Sequence, residues 1–287
     1  MASHSSLGKV YLVGAGPGAA DLITVRGAKL LEKAQIVFHD ALVEPEMLNM
    51  CPQAIKVPVG KRCGKLSSAQ HFINKRLVDA AKQYKTIVRL KGGDPMLFGR
   101  ADEEIQALKK LGIEVEVVPG ITAALAGAAS LQQSLTLRGV SRSVAFITLA
   151  QATENGADGM QPIGNPSADT LVYYMGRKDA AKIAQQLIDA QCNHNSDTPV
   201  HILEAVSTKR ERHWSSTLGE LALGNADAWF DSSSPALIMV GEALRATNKV
   251  EDRSSKLRTK ENLEGSSSEI NNGLQDSQVL PNSRRRA

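Results

Sequence analysis

The sequence predicts an α/β fold in two domains. Apolar runs alternate with segments of helical period along most of the chain, the pattern that lays helices over sheets. The alternation stops at Pro119-Gly120 and then begins again, so two layered units are expected, residues 1–119 and 120–247. A chain of 287 residues with 42% hydrophobic content can fill two cores of ordinary size.

Residues 10–13 (VYLV) read as the first strand. Behind them Gly14, Gly16 and Ala19 match the G-x-G-x-x-G/A pattern that opens a helix beneath a dinucleotide diphosphate. Asp40 closes the next apolar run, QIVFHD, near the spacing at which an acidic residue meets the ribose. A dehydrogenase using NAD is the plain reading of that motif. Pro17 opposes it, because a residue without an N–H stands in the turn where a diphosphate needs donors. A nucleotide lacking a diphosphate fits the turn better.

Asp21 is the expected N-cap of a first helix whose apolar face is Ile23, Gly27, Leu30, Leu31 and Ala34. Ser67 and Gln70 form the capping box expected to open a second, with Ile73, Leu77, Ala80 and Ala81 as its stripe. TIVRL at 86–90 reads as a buried strand, ADEEIQALKKLG at 101–112 as an amphipathic helix closed by Gly112, and EVEVV at 114–118 as a strand stopped by Pro119. The second series holds an alanine-rich helix from Ile121, the strand SVAFITL, and a connection over 155–166 rich in Gly, Pro, Asn and Asp. The strand TLVYYM, the helix DAAKIAQQLIDA and the strands PVHIL and ALIMV follow. Beyond Thr247 the chain turns to Ser, Asn, Lys and Glu without apolar period, and residues 248–287 are expected to form a disordered tail.

The net charge of +4 raises the question of nucleic acid. From Lys249 onward eight Lys/Arg stand against six Asp/Glu, a net of +2, so the tail supplies half the excess. With 4% aromatic residues and no basic-aromatic interleaving, no nucleic-acid partner is expected. No apolar run reaches the roughly 20 residues of a membrane span, and MASHSSLGK lacks the basic start and apolar core of a signal peptide. A cytoplasmic protein without membrane contact is expected. Cys51, Cys63 and Cys192 show no C-x-x-C spacing and are read as reduced thiols. His4, His39, His71, His194, His201 and His213 show no ligand spacing with one another or with cysteine, so no metal is expected.

The most informative stretch is RLKGGDPMLFGRADEE, residues 89–104. A strand ends at Leu90, and Gly92 and Gly93 then remove side chains where a ligand or another backbone comes close. Pro95 keeps Asp94 out of a helix. A carboxylate held in a glycine loop at a strand's carboxyl end lies where open α/β sheets bind ligands. An isolated GGDP would still be read as a plain turn.

It is not isolated. VGAGPG at 13–18, the Asp40-Ala-Leu-Val segment, VGKRCG at 59–64, RLKGGDP with FGR, VVPGITAA at 117–124 and YYMG at 173–176 stand in an order and spacing that resemble the tetrapyrrole methylases. The likeness spans roughly residues 8–245, is stronger in the first domain than in the second, and is greatest to the members that act on uroporphyrinogen III. It implies the tetrapyrrole methylase fold, two α/β domains with a cleft between them. It further implies a homodimeric enzyme that moves methyl groups from S-adenosylmethionine to two ring carbons of uroporphyrinogen III, giving precorrin-2 for sirohaem or cobalamin. Carried over position by position, the methyl donor would be lined by Pro17, Gly92, Gly93, Asp94, Leu97, Thr122, Ala123, Met175, Val206, Pro235 and Ala236. Asp40 would accept a proton and Lys61 donate one. The acceptor macrocycle is rich in carboxylates, which arginine forks hold bidentately. Arg100, Glu103 and Arg138 match positions facing it, and Lys61, Arg62 and Arg142 are further candidates.

The sequence departs from the family pattern at several points. Leu137 in SLTLR stands where histidine is usual, and Thr148-Leu149-Ala150 replaces threonine-glycine-histidine. His39 replaces a tyrosine, Lys65 and Leu66 replace tyrosine-histidine, and Val206 replaces a glycine. Most of these lie toward the acceptor, so a different tetrapyrrole acceptor, or a member that binds without catalysis, stays open beside the main reading.

Overall fold

The computed structural model describes residues 7–59, 66–149, 167–190 and 193–246, and those as far as Arg245 belong to one compact unit. The 155–166 connection, Lys61 with Arg62 and Cys63, Cys192, and the tail at 248–287 lie outside the described residues.

The first sheet is wholly parallel. Its strands β1 (Lys9–Gly14), β2 (Ile36–His39), β3 (Ile55–Pro58), β4 (Thr86–Lys91) and β5 (Val115–Val118) run in the order β3-β2-β4-β1-β5. On one face α1 (Val25–Lys33) packs Leu31 against Val13, Val37 and Val88. On the other, α2 (Leu66–Ala81) and α3 (Ala101–Lys109) press Leu77, Ala80 and Leu108 against Val10, Leu12, Phe38 and Ile87. Burial on both faces is why β1, β2 and the first half of β4 read as apolar runs. From β1 the chain passes over β4 to reach β2, and from β4 it passes over β1 to reach β5. Right-handed crossovers in opposite directions place their helices on opposite faces, which opens a crevice at the carboxyl ends of β1 and β4.

The second sheet contains β6 (Val144–Thr148), β7 (Thr170–Tyr174), β8 (Pro199–Glu204), β9 (Arg212–Thr217) and β10 (Ala236–Val240), in the order β6-β7-β10-β8-β9. Only β6 and β7 pair in parallel. The remaining pairs are antiparallel, a departure from the repeated parallel pattern of the first sheet. One face takes α4 (Ala123–Leu131) over Val172, Leu203, Leu237 and Met239. The other takes α5 (Ala180–Asp189) and α6 (Leu218–Ala222) over Leu171, Tyr173, Val200, Ile202 and Ile238.

Two expected caps are corrected. Asp21 lies in a 3-10 turn, Ala20–Leu22, with no side-chain cap bond, and the helix starts later because the Thr24 hydroxyl accepts from Gly27 N at 3.2 Å. Ser67 and Gln70 lie inside α2 instead of framing its start. The Gln70 amide turns inward and donates to Asn74 Oδ1 (3.0 Å) and to the buried Glu104 Oε1 (3.3 Å).

Candidate active site

The crevice of the first sheet is closed by two glycine turns. Gly16 and Gly93 exchange backbone hydrogen bonds, 3.2 Å from Gly16 N and 2.7 Å from Gly93 N, so the turn after β1 is laced to the turn after β4. Only the short 3-10 turn Ala20–Leu22 follows G-x-G-x-x-A, and α1 begins at Val25. The donor-rich helix end that would hold a diphosphate is missing from that place. A Cβ on Gly120 would stand 2.3 Å from Gly93 O and 2.8 Å from Gly14 Cα, so glycine alone lets the three backbones meet. Asp94 fastens this contact: Oδ2 accepts from Gly120 N at 2.9 Å and Oδ1 from Met96 N at 2.8 Å.

Gly120 leads into Thr122, the residue before α4. The Tyr174 hydroxyl hydrogen-bonds Thr122 Oγ1 and accepts from Ala124 N at 3.1 Å, which ties the start of α4 to the end of β7. Burial pushes the Tyr174 phenol up, against the pull of these two bonds, so it stays protonated at neutral pH. Met175 follows with φ 57° and a largely exposed side chain. The pairing of Leu237 with Tyr174 and of Ala236 with Glu204, with Ala205 N donating to Pro235 O at 3.0 Å, sets Met175, Val206, Pro235 and Ala236 at one end of the second sheet. Arg177 Nη1 pins the turn before Pro235 by donating to the carbonyls of Asp231 (2.6 Å) and Ser234 (3.1 Å). The Asp231 carboxyl is held down to about 2 by the Ser233 N–H and the Ser233 and Ser234 hydroxyls.

The two ends meet. Ala19 N donates to Ser207 Oγ at 3.0 Å, and a Cβ on Gly18 would lie 3.0 Å from Val206 O. The structure therefore brings Pro17, Gly92–Asp94, Thr122, Met175, Val206 and Pro235 onto adjoining loops, with Ala123 and Ala236 at the first positions of α4 and β10. Leu97 joins them half-buried in the loop after Asp94, its N–H donating to Asp94 O at 3.3 Å. Six described residues other than glycine have positive φ, and all but Gln132 lie on these loops: Phe98, Arg100, Met175, Ala205 and Ser207. Each such conformation costs about 1–3 kcal/mol and persists where surrounding contacts force it, as at ligand sites.

Asp40 follows β2 at the same crevice, its side chain 29% exposed, and Oδ1 accepts from Arg89 Nη2 at 2.6 Å. Arg89 is buried and also donates from Nε to Glu104 Oε1 (3.1 Å) and from Nη1 to Leu90 O (3.1 Å). Lys91 Nζ donates to both Glu104 oxygens, at 3.1 and 3.2 Å. Burial, reinforced by the Arg89 charge, pulls the Lys91 ammonium below the usual lysine range, while Glu104 opposes it. Sequence reading missed Arg89, Lys91 and Glu104 as a group. The available signal was two cations at i and i+2 in an apolar strand, which demand a buried counter-charge.

At the start of α3 Arg100 grips Glu103 with a bidentate fork, Nε to Oε1 at 2.6 Å and Nη2 to Oε2 at 2.7 Å, both side chains exposed. Phe98 packs edge-on to Tyr174 with ring centroids 5.2 Å apart. Arg138 stands exposed in a tight turn closed between Leu137 and Ser141, and no contact among the described residues ties it to the other candidates. His201 and His213, read as unrelated by spacing, face each other across β8 and β9 with Nδ1 and Nε2 3.0 Å apart. Among the described residues no group of three or more His, Cys, Asp or Glu could hold a metal. A separate groove of ≈540 Å³ between α4 and β6, lined by Leu125, Ala128, Leu135, Val144 and Phe146, carries no charged side chain to meet an anionic ligand.

Residues 9–222 match the family model described as tetrapyrrole (corrin/porphyrin) methylases. The chain is 42% identical over 238 residues to a uroporphyrinogen-III C-methyltransferase of Pseudomonas aeruginosa, covering 83% of this chain and 95% of that one. It is 44% identical to a siroheme synthase of Zymomonas mobilis, covering 82% of this chain but only 49% of that longer protein. Among solved structures it is similar to the uroporphyrin-III C-methyltransferase of Thermus thermophilus complexed with S-adenosylhomocysteine, at TM-score 0.70 and 36% identity over 83% of this chain and 94% of that one. With a crevice that lacks a diphosphate cradle and a match of this extent, the chain belongs to the tetrapyrrole methylases.

Proposed function

We propose that this protein is a uroporphyrinogen-III C-methyltransferase, moving methyl groups from S-adenosylmethionine to two ring carbons, through precorrin-1 to precorrin-2. The observation that carries the reading is the chain of contacts that bonds the Gly92–Asp94 loop to Gly120 before Thr122, Thr122 to Tyr174 before Met175, and the turn after β1 to Gly93 and Val206, in a chain 42% identical to a relative of that name. The residues fit such a donor. The Ala123 N–H, at the start of α4, has no partner among the described residues and suits the carboxylate of an amino-acid head, while the next N–H, at Ala124, is taken by Tyr174. Exposed backbone at the glycines suits a purine edge, and Leu97 and Met175 supply apolar walls.

Bound there, the donor supplies an electrophilic methyl group on a sulfonium. The chain's own residues orient the acceptor and move protons. Asp40, at the mouth of the crevice, takes the proton released as the new carbon–carbon bond matures, and Lys61 returns one. Arg100 exchanges its grip on Glu103 for an acceptor carboxylate of the same geometry, and Arg138 contributes from its exposed turn. Holding the two reactants in line supplies the larger share of the rate.

The same proposal divides the chain into lobes at 1–119 and 120–247, places it in the cytoplasm, and pairs two copies through the apolar face bearing Leu125, Leu137, Val140 and Phe146, all exposed. Sedimentation of the purified protein reads the pairing directly. A second reading changes only the acceptor, and the exposed Leu137 beside Arg138 favours it, since a family histidine is missing there. Incubation with uroporphyrinogen III and methyl-labelled donor separates the readings. A product two methyl groups heavier supports the first, and label appearing only with a precorrin supports the second.

A further inference from the structure

We propose that Glu104 is a positioning residue for the reaction, holding the Arg89 guanidinium so that it bonds one oxygen of Asp40 and leaves the other for the proton. The inference rests on the proposed role of Asp40 as proton acceptor.

The geometry is specific. Arg89 and Lys91 alternate on β4 and project to the face covered by α3, where Glu104 is fully buried at 0% exposure. Arg89 is held from three sides: Nε to Glu104 Oε1, Nη1 to Leu90 O, and Nη2 to Asp40 Oδ1. Glu104 is in turn fixed by Lys91 Nζ on both oxygens and by the Gln70 amide. The two cations and two carboxylates balance, so none of the buried charges stands alone. Because Nε is committed to Glu104, the guanidinium presents only its Nη2 edge to Asp40. No described residue bonds Asp40 Oδ2, which is left as the oxygen that receives a proton.

An arginine freed from Glu104 would turn its fork and take both Asp40 oxygens, the arrangement carboxylates and guanidiniums favour when nothing else competes. The base would then be present but occupied. A purely structural Glu104 would support the fold and affect turnover only through stability.

Glu104→Met removes the charge together with the acceptor, where a glutamine would keep an oxygen for Arg89 Nε. Because it leaves Lys91 unbalanced, Glu104→Met with Lys91→Met is the companion variant that removes both charges together and keeps the interior neutral. Calorimetric binding of S-adenosylhomocysteine, unchanged within about twofold, confirms that each variant is folded. The expected result is a fall in kcat of about 10- to 100-fold, part of what a general base contributes, with KM for the acceptor nearly unchanged. On an Asp40→Asn background the same change costs no further activity, since residues acting through one group are not additive. A loss that multiplies with Asp40→Asn, or a kcat within about twofold of the parent, overturns the inference. A wild-type protein that transfers no methyl group overturns the proposed function instead. The inference then stands or falls on the crystal structure of the double variant: a bidentate Arg89–Asp40 pair supports it, and an unaltered single contact from Nη2 to Oδ1 refutes it.

Discussion

Asp94 and Gly120 are joined by a single hydrogen bond, 2.9 Å from the Gly120 N–H to Asp94 Oδ2, that fastens the glycine loop after β4 to the segment entering α4. The other Asp94 oxygen accepts from Met96 N, so both carboxylate oxygens are spent on the protein and shape the loop. Asp94→Ala leaves two N–H groups without their charged acceptor. Hydrogen bonds to charged groups contribute about 1.5–3 kcal/mol, so titration calorimetry is expected to show S-adenosylhomocysteine bound about 10- to 100-fold more weakly.

Asp40→Asn separates chemistry from binding. Asparagine keeps an oxygen for Arg89 Nη2 but accepts no proton, so kcat is expected to fall by about 10²- to 10⁴-fold. Donor affinity stays nearly the same, because Asp40 lies on the loop after β2 and makes no contact with the donor loops among its described hydrogen bonds. A rate equal to the parent's removes Asp40 from the mechanism.

Gly120→Ala tests the close approach of three backbones. The added methyl falls 2.3 Å from Gly93 O, a main-chain atom that cannot swing aside as a side chain can. Overpacking of this kind costs about 1–3 kcal/mol, and thermal unfolding is expected to begin several degrees lower, at about 2–4 °C per kcal/mol. Donor binding weakens with it, since the same shift parts Gly93 from Gly16.

Acid should loosen the second half of the fold. Burial holds the His194 and His201 imidazoles below their usual value, although their hydrogen bonds to the Ala168 and Leu244 carbonyls pull the other way. A histidine with a lowered folded value binds its proton more readily once unfolded, near pH 6.5. Its share of stability is complete above that pH and is lost as pH falls below 6.5 toward the folded value. The melting temperature is expected to drop between pH 7 and pH 5, and His201→Gln to flatten part of that slope. A melting temperature independent of pH over this window contradicts the assignment.

Much of this was legible in the sequence because apolar runs bounded by glycine and proline report burial directly. VYLV, IVFH, TIVRL and ALIMV all became strands, and the GGDP loop fell at a strand's carboxyl end beside the turn after β1. The polar strands escaped. RHWSST in β9 lies at a sheet edge with one face wet, and IKVP in β3 is short and mostly exposed, so neither shows an apolar period. The antiparallel pairing of β10 with β7 and β8 escaped too, since strand direction leaves no mark in hydrophobic period. Glu104 was not singled out, because only the helix's rotation distinguishes it from Asp102 and Glu103. Thr24 displaced Asp21 as a cap through a single hydroxyl bond, a choice that local sequence leaves open.

The central claim is that the methyl donor lies between the Gly92–Asp94 loop and the loops carrying Thr122, Met175, Val206 and Pro235. A crystal structure of the protein with S-adenosylhomocysteine reads it directly. The amino-acid carboxylate is expected at the start of α4, the purine against exposed backbone, and the sulfur facing Asp40 across the crevice. The ligand seated in the apolar groove between α4 and β6, or displaced from this crevice by a nicotinamide dinucleotide, would contradict it.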